Sequence, residues 1–291
     1  MVSIVPGRVM RAVVMLVLAL SGFAFFFVAL IWTFQERIAF QPQSPPFPSH
    51  GLTARLEYRA ADGQPLFAYL VGAQPETGMR LLIAFHGNAD LAVRQIEWAH
   101  EIVERTGWSV LLPEYRGYMG LPGRPGYESS RLDATAAYAF AHDSLRVSNR
   151  DMAFFGHSMG TAIAAELAER HPPVALLLQS PFTSARAMAR LMGSRAMELT
   201  WTLVSRLHYD TVALVARLDT PVWVAHGDDD RLIPAGMGKA IFDSAKVKGE
   251  LLMVRGAGHN DVQYNGGESY WQWISSALTS RSATAPASTP R

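Results

Sequence analysis

Residues Asp151–Arg170, DMAFFGHSMGTAIAAELAER, decide how the rest of the chain is read. Met152–Phe155 is a short apolar run of the kind a buried strand carries. Gly156-His157-Ser158-Met159-Gly160 is a turn, and Thr161–Arg170 reads as a helix whose alanines at 162, 164, 165 and 168 permit close packing under a sheet. Five residues of the form G-x-S-x-G set between a strand and a helix make a nucleophile elbow. A strand that reverses sharply into a helix holds its central residue in an unfavourable backbone conformation. It leaves no room for a Cβ two residues before and two after, which is where Gly156 and Gly160 stand. Ser158 is then at the tip, its hydroxyl at the positive end of the following helix. The bare pattern also occurs in ordinary Gly/Ser-rich loops; its place between a strand and a helix argues for the elbow.

Working outward, the same alternation continues on both sides. Arg55–Arg59 and Pro65–Val71 flank Asp62-Gly63, a hairpin signal. Arg80–Phe85 is a continuous apolar run, as expected of a strand covered on both faces. A helix is expected over Ala92–Arg105, a strand over Trp108–Leu112 and an alanine-rich helix over Leu132–His142. Beyond the elbow come a strand at Val174–Gln179, a Met- and Ala-rich, mostly helical stretch at Ser184–Leu207 and a short helix at Tyr209–Leu218. A strand at Pro221–Ala225, a helix at Pro234–Ala245, a strand at Leu251–Val254 and a last helix at Glu268–Leu278 follow. Strands alternating with helices imply an α/β fold, a mostly parallel central sheet with helices on both faces. The stretch 184–207 reads equally as a lid over a cleft or as a connecting helix packed on the domain.

The N-terminus is different. Ala12–Thr33, AVVMLVLALSGFAFFFVALIWT, is uncharged. As a helix it spans about 33 Å, enough for a bilayer hydrocarbon core of about 30 Å. Arg8 and Arg11 precede it and Glu36 and Arg37 follow it, a bias toward a cytoplasmic N-terminus with the remainder of the chain outside the cytoplasm. Ala19-Leu20-Ser21 is a small-x-small triplet of the kind a signal peptidase cleaves, but cleavage there leaves a greasy free end. The length favours an uncleaved anchor. The proline-rich stretch Gln41–His50 reads as a stiff connector, and Ser280–Arg291 as a disordered tail.

Composition narrows the chemistry. A net charge of +1 argues against a nucleic-acid surface, and the absence of cysteine excludes disulfides, thiolate catalysis and Cys-ligated zinc. The histidines form no H-E-x-x-H, and Gly117, Gly120, Gly123 and Gly126 do not match G-x-G-x-x-G, so neither a metal nor a nucleotide cofactor is expected. A serine hydroxyl needs a base, and the base needs an orienting carboxylate. The strand ending at Ala225 runs into His226-Gly227-Asp228-Asp229-Asp230, where any of three aspartates can serve and Asp230 is preferred. The strand ending at Val254 runs into a Gly-rich loop carrying His259, just before the last helix. Serine, acid and histidine thus follow in the order the elbow requires. His86-Gly87-Asn88 follows the strand 80–85, where a second oxyanion donor belongs, so the backbone N–H groups of Met159 and Asn88 are the candidate pair. Tyr115, Arg116 and Tyr118 read as lining the cleft or, in preference, bracing the loop.

Read together, RIAFQPQ after the apolar run, FHGNA (85–89), EYRGY (114–118), GHSMG (156–160), SPFTS (180–184), HGDDDRLIP (226–234) and GAGHND (256–261) resemble the α/β-hydrolase superfamily. Within it they resemble the membrane-anchored bud-emergence branch, which neighbours the depalmitoylating serine hydrolases. The resemblance runs from about Arg37 to Leu278. It implies an acid loop H-G-x-x-D-x-x-I-P that falls on Asp230, and a histidine that falls on His259. Met119 departs from the family's usual Y-R-G-Y-G and so bears on the edge of the cleft. The organisation expected is an anchor (1–36), an α/β-hydrolase domain (37–279) and a tail (280–291). The activity expected is hydrolysis of a small-molecule or lipid-like carboxylic ester or thioester by Ser158, His259 and Asp230, without a cofactor. The alternatives are a catalytically silent tethered scaffold, or acyl transfer or peptide hydrolysis by the same three residues.

Overall fold

The computed structural model describes residues 7–43, 54–73 and 78–280. Residues 44–50 of the proline-rich connector and residues 281–291 of the tail lie outside them.

Eight strands form one sheet: β1 (Ala54–Arg59), β2 (Pro65–Val71), β3 (Leu81–Phe85), β4 (Ser109–Pro113), β5 (Met152–His157), β6 (Leu176–Gln179), β7 (Val222–Gly227) and β8 (Lys248–Val254). Their order is β1-β2-β4-β3-β5-β6-β7-β8. The β1–β2 hairpin and the β2–β4 pair are antiparallel; from β4 to β8 every pair is parallel. The central strands β3, β4 and β5 are buried along nearly their whole length, which is why they read as continuous apolar runs rather than alternating ones. The chain passes from β3 outward to β4 and then returns past β3 to β5. The strand order therefore reverses between β3 and β5, and ligands of open α/β sheets sit at such a reversal, beyond the carboxyl ends of the strands.

Helices cover both faces. On one, α2 (Ile96–Thr106) packs against α9 (Val262–Thr279). On the other, α3 (Tyr127–Ala139), α4 (Met159–Arg170), α7 (Thr211–Val215) and α8 (Ala235–Ser244) follow one another, each touching the next. The alanine-rich α4 lies directly on β3, β5 and β6 and buries Met159 through Ala168. The stretch expected as one helical segment at 184–207 is two helices, α5 (Ala185–Met192) and α6 (Arg195–Val204), broken at Gly193. Ser184 and Ser194 cap them, their hydroxyls accepting from the Ala187 and Met197 amides at 3.1 and 3.3 Å. α3 begins at Tyr127, earlier than expected, because Gly126 closes the preceding loop in extended backbone and the polar first turn YESS is helical. α9 likewise begins at Val262, and a kink at Gly267 (φ +48°) sets its first turn off from the Glu268–Leu278 helix read from sequence.

The N-terminal helix α1 (Gly7–Ala39) is long and apolar enough to cross a membrane by length and composition. Most of it is exposed, but its C-terminal end is docked. Gln35 is fully buried, donating to the Val204 carbonyl (3.2 Å) and accepting from the Arg206 amide (2.6 Å). Phe40 is buried in the main core just beyond.

α9 is tied to the sheet and to α2 by one buried hydroxyl. Tyr270 donates to Gln179 Oε1 (2.7 Å) and accepts from Trp98 Nε1 (2.9 Å). Tyr270→Phe leaves both partners buried and unpaired. Urea unfolding in detergent is expected to show a loss of about 1–3 kcal/mol.

Candidate active site

The elbow is built as its glycines require. β5 ends at His157, Ser158 has φ +52° and ψ −117°, and α4 begins at Met159. A Cβ on Gly160 would overlap the carbonyls of Phe85 and His86 at the end of β3, and one on Gly156 would overlap the Gly160 carbonyl. The two glycines thus let three backbone segments touch, which brings the loop after β3 against the serine. The Ser158 amide is bonded to the Gln179 carbonyl of β6 (2.9 Å), fixing the turn from the other side. Met159 is the first residue of α4, so its N–H is among those that helix geometry leaves without an intrahelical acceptor.

The three residues expected to act together meet. His259 Nε2 lies 2.9 Å from Ser158 Oγ, and His259 Nδ1 lies 2.8 Å from Asp230 Oδ2. With Nδ1–H donating to the carboxylate, Nε2 is left as an acceptor for the serine hydroxyl. Of the three aspartates in the loop, only Asp230 reaches the histidine. Asp228 accepts from the Gly256 amide (2.6 Å) and Asp229 pairs with Arg231 (3.3 Å), both at the surface.

Asp230 is buried, and burial pushes its carboxyl up. Hydrogen bonds to the ionised form overcome this: from His226 (3.2 Å), from His259, and from the Ile233 amide (2.8 Å). The net result is a carboxyl held well below the ordinary range. The Leu232 amide adds a further donor at 2.9 Å. His226, fully buried at the end of β7, divides its Nε2–H between Asp230 and the Ile233 carbonyl (2.9 Å).

Similarities to known proteins bear on the family and the fold. A family model described as "Serine aminopeptidase, S33" matches residues 78–212, which include Ser158 and Asn88 but stop short of Asp230 and His259. An uncharacterized protein of Mycobacterium tuberculosis is 32% identical over 264 residues, covering 88% of this chain and 90% of that protein. The α/β-hydrolase domain-containing protein WAV2 of Arabidopsis thaliana is 26% identical, over 84% of this chain and 87% of its own length. The chain belongs to the α/β-hydrolase superfamily. A solved structure, a membrane phospholipase A described as a bacterial virulence factor, superposes with a TM-score of 0.59 at 15% identity. It covers 94% of this chain and all of the other, and shows the shared fold.

The hydrogen bonds that hold the His259 loop were not foreseen from the sequence. The His259 carbonyl accepts from Ser180 Oγ (3.1 Å) and from His157 Nε2 (3.2 Å). His157 stands inside G-x-S-x-G and Ser180 opens SPFTS, so both lay within recognised motifs, but nothing in one dimension pairs either with residue 259. On the other side, buried His86 Nε2 meets buried Glu114 (2.8 Å), which also accepts from the Ala92 and Tyr115 amides (3.1 Å each). Tyr115 donates to the His86 carbonyl (3.0 Å), and Arg116 is held by Asp133 and Asp62. These residues brace the loop, as preferred from the sequence.

Asn88 has the least expected surroundings. Its side-chain carbonyl accepts from Tyr118 Oη and from the Gln41 amide, each at 2.8 Å, and its NH₂ donates to the Ala39 carbonyl at 2.9 Å. The segment that follows α1 is therefore hydrogen-bonded to the loop beside the serine. Met119, the departure from the family's glycine, sits at φ +49°, the left-handed region a glycine occupies without cost. It keeps that conformation while packing its side chain against the core.

Among the described residues, no group of three or more His, Cys, Asp or Glu side chains is placed to hold a metal. A cavity of about 330 Å³ between α3, α4 and α7, lined by Tyr127, Arg131, Glu166 and Arg170 among others, contains none of the residues that meet at Ser158.

The His157 ring packs beside that of His259, with centroids 5.3 Å apart. Burial, and secondarily His259, depress its pKa from 6.5 to about 4. Between those values the unfolded chain binds the proton and the folded chain does not, so acid favours unfolding. Thermal melts are expected to fall as pH drops from 6.5 toward 4, and His157→Asn should flatten that part of the profile. An unchanged slope in the variant counts against the assignment.

Proposed function

We propose that the chain is a membrane-anchored serine hydrolase acting on carboxylic ester or thioester bonds through an acyl-enzyme. The observation that carries this reading is the continuous relay from Ser158 Oγ through His259 to a buried, fully hydrogen-bonded Asp230. In this mechanism Ser158 Oγ attacks the acyl carbonyl while His259 Nε2 takes its proton. Negative charge that develops on the carbonyl oxygen is received by the N–H groups of Met159 and Asn88. His259 passes the proton to the departing alcohol or thiol as the tetrahedral intermediate collapses to acyl-Ser158. Water then attacks the acyl group, His259 takes a proton from it, and collapse returns Ser158 with release of the acid. Asp230 stays ionised throughout, holding the imidazole in the productive tautomer and stabilising its cation.

The clamp on Asn88 supports its role as donor. Three hydrogen bonds on the side chain fix the backbone on which the N–H is carried, so no reorganisation is needed when the oxyanion forms. Peptide hydrolysis is the second reading, favoured by the description of the matching family model. An aminoacyl anilide compared with a nitrophenyl ester of the same acyl group separates the two.

The apolar span of α1 supports anchoring. Arg8 and Arg11 before it, against Arg37 after it, favour a domain outside the cytoplasm. Because the chain lacks cysteine, Asp143→Cys supplies a single thiol on the exposed surface of the domain. A membrane-impermeant maleimide is expected to label it in intact cells, and labelling only after lysis would reverse the orientation.

The chemistry is tested with a fluorophosphonate probe and graded nitrophenyl esters. Ser158→Ala should abolish labelling. Asp230→Asn should lower kcat by about 10³–10⁴-fold through loss of the productive tautomer. Asn88→Ala should lower kcat by roughly 10- to 100-fold with little change in KM. Labelling that survives Ser158→Ala sinks the proposal.

A further inference from the structure

The apolar run of α1 does not leave the rest of the protein behind when it enters the bilayer. Trp32 stands within Ala12–Thr33, yet its carbonyl accepts from Arg206 (3.2 Å), and the Arg206 guanidinium lies 5.0 Å from the centre of the Trp32 ring. Ile31 and Gln35 are buried, α1 packs on α6, and Gln35 bonds the last carbonyl of α6 at Val204. A helix that packs beside residues 31–35 stands at the same height as the end of the span.

That helix is apolar on its outer side. Leu199 and Leu203, one turn apart on α6, are 64% and 84% exposed, and α5 ends in exposed Leu191 and Met192. Single exposed apolar residues need no explanation, but three leucines and a methionine on one helical hairpin beside a membrane span do. The hairpin is also basic: residues 185–207 carry four arginines and one glutamate. Apolar residues with a surplus of arginine are what a helix seated in an anionic lipid interface presents.

The site lies a short step beyond the end of the span. Ala39, whose carbonyl holds Asn88, is six residues beyond Thr33, about 9 Å further along a helix. On the other side, Ser180, which holds the His259 carbonyl, is only five residues before α5 begins at Ala185. Both segments that flank Ser158 therefore run directly into membrane-proximal elements.

We infer that the α5–α6 hairpin is seated in the headgroup–acyl boundary of an anionic phospholipid bilayer, beside α1, so that Ser158 receives acyl esters carried in that bilayer rather than dissolved in water. This rests on the anchored-hydrolase reading and adds the docking surface and the source of substrate.

The test uses the full chain reconstituted in phosphatidylcholine–phosphatidylglycerol vesicles. Single cysteines at Leu20, Leu199, Leu203 and Asp143 each carry an environment-sensitive fluorophore, and quenching by nitroxide-labelled lipid is read. Leu20 reports the span itself, and Asp143 lies at the opposite end of the domain, near the start of β5. Positions 199 and 203 are expected to be quenched at least half as strongly as position 20. Quenching at 199 and 203 no stronger than at 143 overturns the proposal, and assigns the leucines to an aqueous surface such as a protein contact. Quenching absent at position 20 as well overturns the anchored reading on which it stands. These readouts need no turnover, so they stand apart from the proposed chemistry. For substrate delivery, Leu199→Glu/Leu203→Glu is expected to lower the ratio of turnover on a long-chain ester in vesicles to turnover on nitrophenyl acetate by at least 10-fold. An unchanged ratio overturns the delivery role.

Discussion

The constraint on which everything else hangs is a backbone contact. At the reversal of strand order, the first turn of α4 presses against the carbonyls that end β3, at a separation only glycine tolerates at position 160. This contact sets Ser158 at φ +52° and brings the loop carrying Asn88 beside it. Without it β5 and α4 could still form, but the hydroxyl and the loop amides would not converge. The strain of a non-glycine residue in that conformation, on the order of 1–3 kcal/mol, is sustained because the surrounding sheet over-determines it.

Around that contact, polar groups in the interior are matched closely. Asp230 has four donors and stays ionised despite burial, so it orients His259 without competing for its proton. Holding the His259 carbonyl by both Ser180 and His157 fixes the loop on which the imidazole stands. Glu114 does the same for the loop after β3. Each of these groups would be costly if left unpaired, so the networks specify one arrangement of three loops that the chain connects only at long range.

Much of this was legible in one dimension. The parallel strands announced themselves as apolar runs because they are covered on both faces, and the elbow declared itself because its glycines answer to sterics that act within five residues. The helix limits at Tyr127 and Val262 were less legible: polar or Gly-rich turns gave no periodicity, although the chain was helical there. Among the aspartates, spacing alone did not separate Asp228, Asp229 and Asp230; the choice of Asp230 leaned on the family's acid-loop pattern, and it is Asp230 that the turn points inward to His259. Gln35 and the Asn88 clamp were invisible for a different reason. A glutamine near the end of an apolar helix, and an amide two residues after a histidine, carry no pattern until the fold brings them to their partners.

In the anchored reading proposed above, the buried Gln35 changes what kind of attachment α1 makes. A flexible tether would leave the domain free to turn above its foothold; a helix whose last turn is gripped through a glutamine, a tryptophan carbonyl and Phe40 acts as a strut. Its azimuth is inherited by whatever stands on it. One residue added between the span and Gln35 turns the upper end by about 100° and lifts it by about 1.5 Å. In that reading the register of the α1 sequence against the domain carries as much information as its greasiness, and two chains with equally apolar spans can differ entirely in which way the Ser158 face looks.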